Sequence, residues 1–226
     1  MSTALTDIFD FIKQQIELYG DEFAIAKTVS AKNSDDNGNV APDWPDATSL
    51  DELEQKINQC TRCDLHKSRK NLVFGSGNAS AKLVLVGEAP GAEEDRLGKP
   101  FVGRAGELLT KMLAAIQLER SDVYICNIIK SRPPQNRDPL KEEIQTCLPY
   151  LKKQLELIQP KIILCLGRIA AQTLLDTSSS LSSLRNQWHD YDGKQLRVTY
   201  HPAALLRNPQ HKKDAWEDLK QVKQNL

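Results

Sequence analysis

The chain has 226 residues, 40% of them hydrophobic and 27% charged, enough for one well-buried domain with an appendage and too few for two large ones. No run reaches the roughly 18 apolar residues of a membrane span, and residues 1–20 (MSTALTDIFDFIKQQIELYG) lack the basic start, apolar stretch and small-residue cleavage site of a secretion signal, so a soluble, cytoplasmic protein is expected. The formal net charge of zero hides a division: residues 1–56 carry twelve acids against four bases, a net of −8, and residues 57–226 carry eighteen acids against 26 bases, a net of +8, a basic body of the kind a polyanion requires.

In chain order, Leu5, Ile8, Phe9, Phe11, Ile12, Ile16 and Leu18 fall close to helical spacing and predict an amphipathic helix over 5–19 within an N-terminal extension, residues 1–28. Residues 29–48 (VSAKNSDDNGNVAPDWPDAT) have the composition of a disordered acidic linker. A compact domain is expected over 49–226. It contains all five cysteines, and the odd number with the C-x-x-C pair Cys60 and Cys63 favours metal, cluster or redox chemistry over a disulfide framework. Strands are predicted over 82–87 (KLVLVG), 122–129 (DVYICNII), 161–167 (KIILCLG) and 195–200 (QLRVTY), and helices over 104–117, 139–158, 168–175 and 212–224. Near-continuous apolar strands spaced by helices predict an α/β fold with a parallel sheet covered on both faces. Ligands in such folds bind beyond the carboxyl ends of the strands.

That rule selects three loops. The first, residues 87–106 (GEAPGAEEDRLGKPFVGRAG), holds five of the eleven glycines and four acids. It matches neither the phosphate-loop pattern nor the dinucleotide fingerprint. The second is NIIKSRPPQNRDP, beginning at Asn127, and the third HPAALLRNP, beginning at His201. In this order, each at a strand's carboxyl end, the three closely resemble the family 4 uracil-DNA glycosylases of bacteria and archaea over about residues 50–222. The resemblance implies a three-layer α/β/α sandwich with a four-stranded parallel sheet. It further implies a monofunctional enzyme of base excision repair that flips uracil out of DNA and hydrolyses its N-glycosidic bond, leaving an abasic site. Uracil-containing DNA is the implied partner and a monomer the implied state. The extension could contact a repair or replication protein, and an inert tail is an equal alternative.

Residue by residue, the resemblance assigns His201 as the histidine that meets negative charge developing on uracil O2, and Glu88 as the carboxylate that positions water or faces the sugar. Phe101 stacks on the flipped base and Asn127 reads its edge, since an amide both donates and accepts. Gly87, Ala89 and Gly91 line the pocket. The family 1 enzymes carry aspartate at the position of Ala89 and tyrosine at that of Gly91, so thymine must be excluded by another group. Leu205 is expected to enter the base stack as a wedge. Lys130, Arg132, Arg137 and Arg207 are expected to contact phosphates. Glu93, Glu94 and Asp95 receive no role beyond a solvated turn.

Cys60, Cys63 and Cys147 match the family's ligands for a [4Fe-4S] cluster, but Ser131 stands where the family carries the remaining cysteine. Cys126 and Cys165 are expected in the core. A cluster with Ser131 or solvent at the fourth iron, a labile or three-iron cluster, no cluster, and a three-cysteine zinc site all stay open. No cluster ligand belongs to the catalytic set. Two rival functions are a uracil-DNA-binding relative without turnover, whose covalent branch carries GEQPG instead of GEAPG, and a structural iron-sulfur module of a replication complex.

Overall fold

The computed structural model describes residues 44–226. The helix predicted over 5–19 and most of the linker lie outside the described residues. Residues 44–48, expected in the linker, are instead folded onto the domain. Trp44 packs edge-on against Tyr150 with ring centroids 4.8 Å apart, and Ala47 is buried.

Among the described residues, helix α1 (Leu50–Ile57) starts at Ser49, whose side chain accepts from the Glu52 N–H. It is followed by β1 (Ser76–Gly77), β2 (Leu83–Gly87), α2 (Ala92–Leu97), α3 (Arg104–Ala115), β3 (Tyr124–Asn127), α4 (Lys141–Ile158), β4 (Ile162–Leu166) and α5 (Arg168–Leu174). The chain continues through α6 (Leu181–Leu184), β5 (His189–Tyr191), β6 (Lys194–Thr199), α7 (Pro202–Arg207) and α8 (Lys212–Asn225). The sheet has six strands in the order β1-β3-β2-β4-β6-β5. Its inner four, the strands expected from sequence, run parallel. The two edges are antiparallel additions, so the sheet is mixed rather than purely parallel. Both edge strands are short and polar, lacking the apolar run that marks a central strand.

Strand residues alternate between two cores. Val84, Val86, Cys126, Ile163, Cys165 and Val198 pack against α1, α4 and α5. Leu83, Leu85, Ile125, Ile162 and Leu164 pack on the other face against α3, α7 and α8. Burial on both faces makes the three-layer sandwich and fixes the strand register, because a slip by one residue would exchange the two sets. Cys126 and Cys165 lie inside the first core, as expected. The register places Gly87 beside Asn127, bringing the first and second loops together, and the Gly167 N–H donates to the Thr199 carbonyl just before His201.

Candidate active site

The carboxyl ends of β2, β3 and β6 open on a cavity of about 370 Å³, lined by Glu88, Phe101, Asn127, Asp138, His201 and Arg207 with the loop backbone around Ala89 and Gly91. Its volume is in the range of small-molecule sites. A Cβ on Gly87 would stand 2.4 Å from Asn127 Oδ1 and 2.7 Å from Phe101 Cζ. Only glycine lets the amide and the ring approach over the strand end.

Asn127 is 1% exposed, and its Oδ1 has no hydrogen-bond partner. An unpaired buried acceptor costs about 1–3 kcal/mol, a cost that a ligand donor would remove. Phe101 is also buried, on a backbone held at φ +52°. Its carbonyl oxygen would lie 1.8 Å from a Cβ on Gly106, so the first turn of α3 must be bare where the loop crosses it. A left-handed non-glycine residue stores roughly 1–3 kcal/mol, and such strain gathers at functional sites. The Phe101 ring sits 5.5 Å from that of His201, tilted by 33°.

Two of the acids expected on a solvated turn hold this loop in place. Glu94 Oε1 accepts from the N–H groups of Val102 and Gly103 at 2.9 and 3.0 Å, fixing the chain just after Phe101. Its Oε2 lies 2.7 Å from where a Cβ on Gly91 would be, filling the wall that Gly91 leaves bare. Asp95 is buried and accepts from the N–H groups of Lys70 and Asn71. Only Glu93 remains at the surface, paired with Arg96.

His201 is the N-cap of α7, and its Nδ1 accepts from the Ala203 N–H at 3.1 Å. That bond places the ring proton on Nε2. Burial, with Arg207 nearby adding to it, pushes the imidazole down to about 4. The ring is therefore neutral at physiological pH, a matter the sequence leaves open. Burial, reinforced by the Asp138 carboxylate and opposed by Arg168, pushes Glu88 up to about 7. Arg168 Nη2 reaches Asp138 Oδ2 at 3.1 Å.

Two residues expected to touch DNA do not face outward. Lys130 is 1% exposed, and its ammonium donates to the Asn127 carbonyl at 2.8 Å and to Gln154 Oε1 at 2.6 Å. It braces the backbone that carries Asn127 and reaches no phosphate. Burial pushes its pKa down. Leu205 is also buried, in the core under α3 and α8, whereas Leu206 is exposed. The reason is helical phase: Pro202 and Leu205 lie three residues apart and share the inward face of α7, so the next residue turns out. Arg207 is exposed at the pocket rim, and Arg132 lies partly exposed with its Nε on Asn136 Oδ1. Arg137 forms a bidentate pair with Glu143 at 2.6 and 2.9 Å.

The family model described as the uracil DNA glycosylase superfamily matches residues 74–220, and the chain belongs to that superfamily. Within it, this is a type-4 uracil-DNA glycosylase sequence: it is 48% identical over 182 residues to the type-4 uracil-DNA glycosylase of Archaeoglobus fulgidus, covering 77% of this chain and 92% of that protein. It is 42% identical over 180 residues to that of Pyrobaculum aerophilum, covering 75% of this chain and 91% of the relative. With that of Thermotoga maritima it shares 45% identity over 158 residues, 69% of this chain and 82% of the relative.

The iron-sulfur cluster implied by the resemblance would require four thiolates. Cys60, Cys63 and Cys147 all belong to the α1–α4 side of the molecule, the first two packed against the core that contains the third. The Lys130 N–H donates to Cys147 Sγ at 3.2 Å, and Cys60 Sγ lies 3.2 Å from the Tyr150 hydroxyl. Ser131 Oγ accepts from Arg69 Nη1 at 2.9 Å. Among the described residues no group of three or more His, Cys, Asp or Glu is placed to hold a metal ion. Three thiols and an engaged hydroxyl do not fit a four-thiolate cluster.

Proposed function

We propose that the protein is a monofunctional uracil-DNA glycosylase and that Glu88, Phe101, Asn127 and His201 form its working pocket. The reading rests above all on the unpaired Asn127 Oδ1, set beside the Phe101 ring at the bottom of a cleft that a flipped base can enter. In this reading Phe101 stacks on the base, a contact worth about 1–3 kcal/mol and indifferent to base identity. Asn127 accepts from uracil N3–H through Oδ1 and donates to O4 through Nδ2. Cytosine would present an amine where O4 belongs and no proton at N3, leaving the amide unpaired.

As the N-glycosidic bond breaks, its electron pair moves into the ring and negative charge gathers on O2. The neutral His201 donates its Nε2–H there, and a donor matched to charge that exists only in the transition state lowers the barrier by about 3–4 kcal/mol. Positive charge develops on the sugar meanwhile. The ionised Glu88 stabilises it, orients the water whose oxygen adds to C1′ and takes up the proton that water loses, leaving an abasic sugar and a uracil anion that is protonated from solvent after release. Thymine's methyl group meets the wall that Glu94 fills beside Gly91. Leu206, in place of Leu205, enters the stack from the exposed side of α7. Arg207 and Arg132 contact the phosphates, giving affinity that falls with salt.

The test is incubation with a uracil-containing oligonucleotide followed by alkali. A strand break at the former uracil is expected with the wild type and a large reduction with His201→Ala. No break, or equal breakage by both proteins, refutes the reading.

A further inference from the structure

We infer that the corner formed by Cys60, Cys63, Cys147 and Ser131 is a cluster-free joint, closed by Arg69 rather than by iron and sulfide. The guanidinium of Arg69 presents its donors in a fixed fork. Arg69 Nη1 donates to Ser131 Oγ at 2.9 Å and Nη2 donates to the Cys60 carbonyl at 2.6 Å. One side chain thus ties the loop of the C-x-x-C pair to the chain segment that follows β3. Those are the two segments a fourth thiolate at position 131 would have joined through a cluster.

Ser131 is buried, and its oxygen already accepts a charge-assisted hydrogen bond. As a ligand the serine would be a hard oxygen, a far poorer match to iron-sulfur chemistry than a thiolate, and the guanidinium already occupies one of its two lone pairs. The thiols are engaged in the same protein-only way: Cys147 Sγ accepts from the backbone N–H of Lys130, and Cys60 Sγ bonds with the Tyr150 hydroxyl.

The mechanical task is met independently of any metal. Leu50, Leu53, Ile57 and Leu65 are buried in the domain core. Arg62 lies over the rings of Trp44 and Tyr150, 5.9 and 5.5 Å from their centroids. Burial of four leucine-class side chains and a stacked arginine anchor the segment from 44 to 69 against α4. Arg69 then closes its far end.

The experiment is iron and acid-labile sulfide analysis, with a visible spectrum, of the full chain purified without oxygen from iron-replete cells, alongside thermal unfolding of variants. Iron well below one atom per chain and no visible band are expected. Cys63→Ser, whose hydroxyl can still accept from the Leu65 N–H that the thiol meets, leaves the melting temperature nearly unchanged. Arg69→Ala lowers it by about 5 °C. Should Arg69→Ala prove insoluble, Arg69→Lys, which keeps the charge but not the fork, is expected to melt measurably below the wild type. Stoichiometric iron and sulfide with a visible band that Cys63→Ser abolishes would overturn the inference. So would a set of Arg69 variants melting with the wild type.

Discussion

Glu88 offers the sharpest prediction because its environment fixes a pH at which the enzyme should switch on. Removal from water is the largest effect on the carboxyl, the Asp138 carboxylate adds to it, and Arg168 opposes both, leaving a value of about 7 against an ordinary 4.5. If the ionised form is required, its fraction climbs from roughly a tenth at about pH 6 to roughly nine-tenths at about pH 8, a gain of about tenfold in kcat/KM. His201 contributes no bend in that window, since its neutral form is complete well above its value of about 4. Single-turnover excision from a uracil oligonucleotide, measured across this range at constant ionic strength, reads the profile directly. Glu88→Gln should be slower and flat. Asp138→Asn should move the midpoint to lower pH and Arg168→Ala to higher pH. The same group bears on stability with a definite sign. Its folded value lies above its unfolded one, so the folded state is favoured by protonation, and that stabilisation is lost as pH rises through about 7. Glu88→Gln should therefore raise the melting temperature above pH 7 and leave it unchanged near pH 4. A wild-type profile without a limb near 7, or a limb that survives in Glu88→Gln, refutes this account of Glu88.

Gly87→Ala places a methyl 2.4 Å from Asn127 Oδ1 and 2.7 Å from Phe101 Cζ. A displacement of either group by about 1 Å should cost on the order of 10²-fold in kcat while circular dichroism stays native. Leu205→Ala should destabilise the fold by about 2–5 kcal/mol in urea titrations, whereas Leu206→Ala should leave stability nearly untouched and slow excision more from duplex than from single-stranded DNA. Arg207→Ala should reduce the slope of log affinity against log salt by about one. Lys130→Met should leave that slope alone and lower the melting temperature, since each acceptor it abandons costs about 1–3 kcal/mol.

The inner strands and the site loops could be read from sequence because their signals are local. KLVLVG and KIILCLG are near-continuous apolar runs, and the three loops follow strands directly. The β5–β6 hairpin also carries a local signal: Asp192 and Gly193 both have positive φ and form the Asp-Gly turn that joins the two strands. Leu205 and Leu206 could have been separated by applying helical phase from Pro202. What sequence could not supply were distant partners. Lys130 looks like a phosphate contact until Gln154, on α4, is brought to its ammonium. Glu94 looks like surface until the chain turns back to offer it two N–H groups. The direction of the His201 and Glu88 shifts likewise depends on burial, on Arg207 at the far end of the helix that His201 caps, and on Asp138 and Arg168, which come from another loop and helix.

The central claim is that a flipped uracil is held by Asn127 and Phe101 and released through His201. Chromatographic identification of the free base from single-turnover reactions tests it most directly, with wild type, Asn127→Ala, Phe101→Ala and His201→Gln compared on DNA carrying a single uracil. The account predicts free uracil and an unbroken strand from the wild type, and losses on the order of 10²-fold or more for His201→Gln. Release of uracil at the wild-type rate by all three variants, or no released base from the wild type, would contradict it.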